Sequence, residues 1–141
     1  MCFLVLLQLV CLVPVEPPVQ EAELVGKWSI VRFSRGSTDY PETTLSQMCA
    51  YFTRKHLLIR AIDTIGESAY TLKKTNGITE LDLTAHDGSK KGTTTKGLIT
   101  LNKEKNKIII YLGLEGMERP TAIPDKAEEG HELIVMKLIE R

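Results

Sequence analysis

A length of 141 residues suits one domain with one core, and 43% apolar with 26% charged residues excludes an intrinsically disordered chain. Eighteen Lys and Arg balance eighteen Asp and Glu, and removing residues 1–22 deletes only Glu16 and Glu21. That near-neutral balance excludes the strongly basic face of a nucleic-acid-binding domain.

Residues 1–13 form an uncharged apolar run ending Leu12-Val13. The run is too short for a bilayer core, which needs about 20 residues, and it matches the hydrophobic region of a signal peptide. Export to the periplasm, envelope or extracellular space is therefore expected. A lipoprotein would carry its acyl group on Cys11, but Val10 is bulkier than the residue such a site requires. Membrane association is thus expected only through an uncleaved leader or lipidation. Pro14, Pro17 and Pro18 then predict an extended linker, because proline cannot continue a helix. The expected division is a leader and linker over 1–22 and a folded domain over 23–141. Of Cys2, Cys11 and Cys49, only Cys49 falls in that domain, so no internal disulfide is expected and Cys49 reads as a small buried hydrophobe.

Strand signals dominate the body. Residues 24–34 predict a long opening strand with Trp28 and Ile30 on one face and Val31 and Phe33 on the other. Residues 48–53 and 57–62 predict a pair joined by a tight turn. Residues 68–73 lead into Asn76-Gly77, a dipeptide suited to a two-residue hairpin, and then to 78–85, where Leu81 and Leu83 alternate with Glu80, Asp82 and Thr84. Asp87-Gly88 marks another turn. Residues 93–101 contain Gly97, a position expected to mark a bulge or sharp bend. Residues 107–112 and 131–139 complete the set. The fold class expected is all-β: eight short-linked antiparallel strands closing as an up-and-down barrel, which removes both sheet edges. Apolar residues on both faces of the last two strands predict an outer cover from the linker or a long loop. The segment 113–130, with Pro120 and Pro124, is long for a structureless connection and reads either as a functional loop or as a structural strap.

His56, His86 and His131 are far apart and show no metal-site spacing, so they read as ordinary surface or turn histidines and no metal or cofactor is expected. His131, at a loop-to-strand junction, reads as a partner for loop backbone. No nucleophile elbow or phosphate loop is present, and Asp82, Glu115 and Glu118 do not declare an acid–base pair. No catalytic residue and no enzymatic activity are expected.

Two stretches carry a resemblance: Leu24-Val25-Gly26-Lys27-Trp28, and Glu118-Arg119-Pro120-Thr121 followed by Gly130-His131-Glu132-Leu133-Ile134-Val135. With Phe52-Thr53, Tyr70-Thr71-Leu72, Leu81-Asp82-Leu83 and Gly97-Leu98-Ile99 between them, the chain resembles a lipocalin-like domain family of mostly exported, uncharacterised planctomycete proteins. The match covers roughly residues 23 to 140. The resemblance implies that Gly26 lets the chain enter the barrel and that Trp28 plugs one end under a basic side chain. Arg119 is the expected cover, although lipocalins take that residue from after the last strand. Gly26, Trp28, Arg119, Pro120, Gly130 and His131 together form the expected barrel-closing set.

Two functions remain open: a carrier holding a small apolar ligand in the barrel, and an envelope or extracellular protein-interaction module with a filled barrel and the 113–130 loop as its contact surface.

Overall fold

The computed structural model describes residues 17–141, so the apolar leader and Cys11 lie outside the described residues. The elements in chain order are α1 (Glu21–Leu24), β1 (Gly26–Arg35), β2 (Thr38–Asp39), α2 (Glu42–Leu45), β3 (Cys49–Phe52), β4 (His56–Arg60), β5 (Ile65–Thr75), β6 (Ile78–Ala85), β7 (Thr94–Asn102), β8 (Lys107–Gly113) and β9 (His131–Glu140). The sheet runs β2-β1-β3-β4-β5-β6-β7-β8-β9, every pair is antiparallel, and β9 returns to β1. Eight strands therefore close an up-and-down barrel, and β2 is a two-residue addition against the end of β1. Each expected strand is present.

Closure depends on the register of β1 with β9, which runs from Lys27 opposite Glu140 to Arg35 opposite Glu132. The pairing slips by one residue at Ile139 on β9 and at Val31 on β1, and both bulged side chains point to solvent. The bulge at Val31 corrects the expected facing of β1. One extra residue resets the alternation, so Phe33 joins Trp28 and Ile30 inside the barrel instead of lying opposite them. Gly26 has φ +145, and a Cβ there would lie 2.6 Å from the Glu140 carbonyl oxygen, so only glycine allows the two strand ends to meet.

Every barrel strand sends side chains into one continuous apolar cluster that includes Trp28, Phe52, Leu57, Tyr70, Leu81, Ile99, Ile110 and Ile134. Both ends are stopped. At one end α1 places Leu24 in the cluster, and the Leu24 carbonyl accepts the Trp28 indole N–H at 2.8 Å. Val19 also enters the cluster, and its N–H donates to Thr79 Oγ1 at 3.1 Å. The domain thus begins before residue 23, and part of the expected linker is a four-residue helix belonging to the barrel. At the other end α2 inserts Leu45, and Tyr40 stacks on Phe33 with ring centroids 4.8 Å apart.

The expected hairpin at Asn76-Gly77 has both residues at positive φ, 49° and 80°, the primed geometry that matches strand twist. Of the two roles expected of Gly97, a bulge or a sharp bend, the register decides the first. Its register with β6 and β8 is unbroken, so it marks no bulge. A side chain there would run into the Tyr111 carbonyl and the Leu112 side chain, so the glycine permits close approach of β8. Cys49 lies half-buried, alternating with the inward Ala50 and Phe52 rather than joining them.

Gly97→Ala should destabilise the fold by about 1–3 kcal/mol in urea titration, because neither backbone nor Leu112 can yield freely. Burial, with Glu21 nearby, pushes the Tyr70 hydroxyl up to about 12 while it donates to the Thr53 carbonyl at 2.7 Å. A raised pKa favours the protonated form in the folded state, so this stabilisation is complete below about pH 10 and is lost as pH rises towards 12. Alkaline denaturation of Tyr70→Phe beside the parent chain should show a shallower loss over that interval.

Candidate functional site

The 113–130 segment is not free. It lies along the outer wall of the barrel and covers a second apolar cluster of Tyr111, Leu133 and Ala127, with Ile109 and Ile123 packed against it. This is the outer cover expected from the two-faced apolar pattern of β8 and β9, supplied by the long loop.

Two anchors hold it. Arg119 projects onto the outer face of β6 and β7. One terminal guanidinium nitrogen donates to the carbonyls of Gly97 at 2.9 Å and Leu81 at 3.3 Å, and the other to Asp82 at 2.6 Å. Its Nε lies 3.6 Å from the Glu80 carboxylate. Alternation explains the placement: Leu81 points inward, so Glu80 and Asp82 on either side must point outward. The planar, multiply donating head of arginine matches this set of four acceptors, which lysine could not bridge.

The second anchor is His131, the first residue of β9. Its ring stacks on Tyr111 at 5.1 Å and 12°, and its Nδ1 lies 3.0 Å from the Glu129 carbonyl. Tyr111 in turn accepts the Glu128 N–H at 3.1 Å. Gly130, at φ +77, turns the chain into the strand and takes the Leu114 N–H on its carbonyl at 2.8 Å. His131 therefore braces loop backbone, as its junction position implies.

Arg119 does not cover Trp28. The guanidinium is bound outside the barrel at β6–β7, whereas the indole is sealed inside under Leu24, so the barrel wall separates them. A basic residue near the Trp28 end is Arg141, which follows the last strand and donates to the Glu23 carbonyl at 3.0 Å. The expected set thus divides in two. Gly26 and Trp28 close one barrel end, while Arg119, Pro120, Gly130 and His131 pin the loop to the wall.

Between loop and wall lies an open cleft of about 540 Å³, bordered by Tyr111, Met117, Glu118, Arg119, Pro120 and His131. A smaller apolar groove of about 240 Å³ separates residues 121–123 from Val19, Ile78, Leu98 and Leu101. The smaller groove is also bordered by Ile99, which belongs with Val19 to the inner cluster. Among the described residues, no helix is long and apolar enough to cross a membrane.

One grouping escaped the sequence reading. His56, Glu67 and His86 stand together on the outer wall, their ligand atoms within 4.8 Å of one another. Their separations of eleven and nineteen positions match no motif. Only the outward parity of three neighbouring strands could have signalled it.

No protein-family model and no curated protein matches the sequence. Among solved structures, a DUF4909 family protein from Staphylococcus aureus superposes with a TM-score of 0.46 at 12% identity, over 81% of this chain and 97% of its own.

Arg119→Ala should destabilise the fold by about 1–3 kcal/mol, since two carbonyls lose their donor and two carboxylates their counter-charge at a partly solvated site. Limited proteolysis should then cut within 113–130 before the barrel opens, and Arg119→Lys should recover little of the protection.

Proposed function

We propose that the chain is an exported binding module in which the barrel is a solid scaffold and the 113–130 loop, pinned to the outer wall, presents the surface that meets a protein partner. The observation that carries this reading is the filled interior. The inward side chains form one cluster, and Leu24 and Leu45 stop its two ends. A carrier needs an open mouth and unoccupied volume inside. At the loop, an open space of about 540 Å³ is framed by the Tyr111–His131 stack, the bound Arg119 and the half-exposed Met117.

The composition of that cleft suits a protein partner. Aromatic, Met and Arg side chains are the types enriched at protein interfaces, and the loop backbone behind them is immobilised before binding, which lowers the ordering cost. The neighbouring groove would offer a small apolar ligand about 240 Å³, below the roughly 300–1,000 Å³ of ordinary ligand sites.

Trp28 is the single tryptophan and sits in the barrel core, so its fluorescence reports on anything entering the interior. Titration with fatty acids and other long-chain apolar probes should leave the emission and the melting temperature unchanged. Saturable quenching of Trp28 by any of them would restore the carrier. In the same protein, a photo-crosslinker at position 117 should give discrete adducts in envelope extracts that one at position 65, on an exposed site elsewhere on the wall, does not. Equal labelling at the two positions would remove the loop from the binding role.

A further inference from the structure

We propose that His56, Glu67 and His86 form a binding site for a borderline divalent transition cation of the Zn²⁺ class on the outer wall of β4, β5 and the end of β6. The strand register builds it. His56 opens β4 and lies opposite Ala69, while Glu67 lies opposite Leu58, so His56 and Glu67 are diagonal neighbours across the β4–β5 pair. Ser68 pairs with Ala85, which puts His86 level with Glu67 on the β5–β6 pair. Leu57, Tyr70 and Leu83 mark the inward parity of the same three strands, so all three candidate ligands face outward.

The backbone holds this arrangement without help from the ligand side chains. The His86 N–H donates to the Glu67 carbonyl at 2.9 Å, the Glu67 N–H to Asp87 Oδ1 at 3.4 Å, and the His56 N–H to Thr53 Oγ1 at 2.9 Å. The two imidazoles meet edge to face at 5.1 Å. Among the described residues, neither ring nor the Glu67 carboxylate is committed to a hydrogen bond or an ion pair, so the donor atoms are available.

Geometry and chemistry select the cation. Zinc–nitrogen and zinc–oxygen bonds of about 2.0–2.2 Å at tetrahedral angles place ligand atoms about 3.4 Å apart. Donors already within 4.8 Å reach that spacing by small χ rotations of half-exposed side chains. Two imidazoles and one carboxylate match zinc, cobalt or nickel, whereas calcium and magnesium call for oxygen ligands throughout. Three protein ligands leave at least one position for water, and a cation held there would tie β4, only five residues long, to β5 and β6.

The test uses the untagged full chain with Zn²⁺ and Co²⁺ alone. Calorimetric titration with Zn²⁺ should show one saturable site. Co²⁺ should give visible bands of an N/O-ligated centre that Zn²⁺ then removes, and saturating Zn²⁺ should raise the melting temperature. Loss of a group that only hydrogen-bonds a metal ligand already costs about 10–100-fold in metal affinity, so His56→Gln and His86→Gln should each lose about 100-fold or more. These outward substitutions should leave the metal-free melting temperature in place. Replacing Cys2, Cys11 and Cys49 together with Ser should leave binding intact. Absence of saturable binding by the parent chain overturns the proposal, as does undiminished binding in the His56→Gln/His86→Gln double variant. Binding that disappears with the cysteines assigns the cation to thiolates and overturns it equally.

Discussion

The meeting of β1 with β9 is the constraint on which the rest of the molecule depends. An eight-stranded meander has two open edges until its first and last strands pair, and here that pairing joins residues about a hundred positions apart. It gives the fold no local stability during assembly, because the loop-closure cost precedes any reward from contacts of such long sequence separation. Two bulges and the glycine at position 26 let strands of unequal curvature meet. The same bulge turns Phe33 inward, where it receives Tyr40 as the stopper of one barrel end. Closure also brings the chain's two described ends together, with Arg141 on the Glu23 carbonyl and Lys103 paired to the Glu23 carboxylate at 2.5 Å.

A barrel closed over a filled interior moves function to its outer wall. The residues that first read as closing devices serve two different tasks there. Trp28 is a core side chain whose one polar atom is satisfied by Leu24, and removing it from water is the kind of burial on which a small domain rests. Arg119 works on the opposite side of the sheet, where it gathers two carbonyls and two carboxylates and converts the long β8–β9 connection into a fixed surface. The histidine cluster occupies a different part of the wall, over β4, β5 and the end of β6, beyond the Glu80 and Asp82 positions that hold Arg119. Pinned loop and histidine cluster are thus separate surfaces on one scaffold.

Much of the architecture was legible in the residues themselves. Alternation of Leu81 and Leu83 with Glu80, Asp82 and Thr84 declares a strand and its two faces, and Asn76-Gly77 declares a hairpin, because both signals depend only on neighbours along the chain. The need to cover both faces of β8 and β9 was equally readable from composition. What those local signals could not supply was parity beyond a bulge, as at Phe33, or the reason for Gly97, which is the approach of a strand some fifteen residues further on.

The candidate sites fall on the other side of that line. Sequence determined that this chain makes a meander of eight strands and carries a long proline-bearing connection; it named Arg119 and His131 as notable but assigned the arginine to the wrong face of the sheet. Only the tertiary structure decided that Arg119 reaches β6 and β7 from outside, and that His56, Glu67 and His86 share one patch. The physical reason is register. Alternation tells which face a side chain takes, but the residue standing beside it on the next strand is set by where two strands align, and no stretch of one strand contains that information.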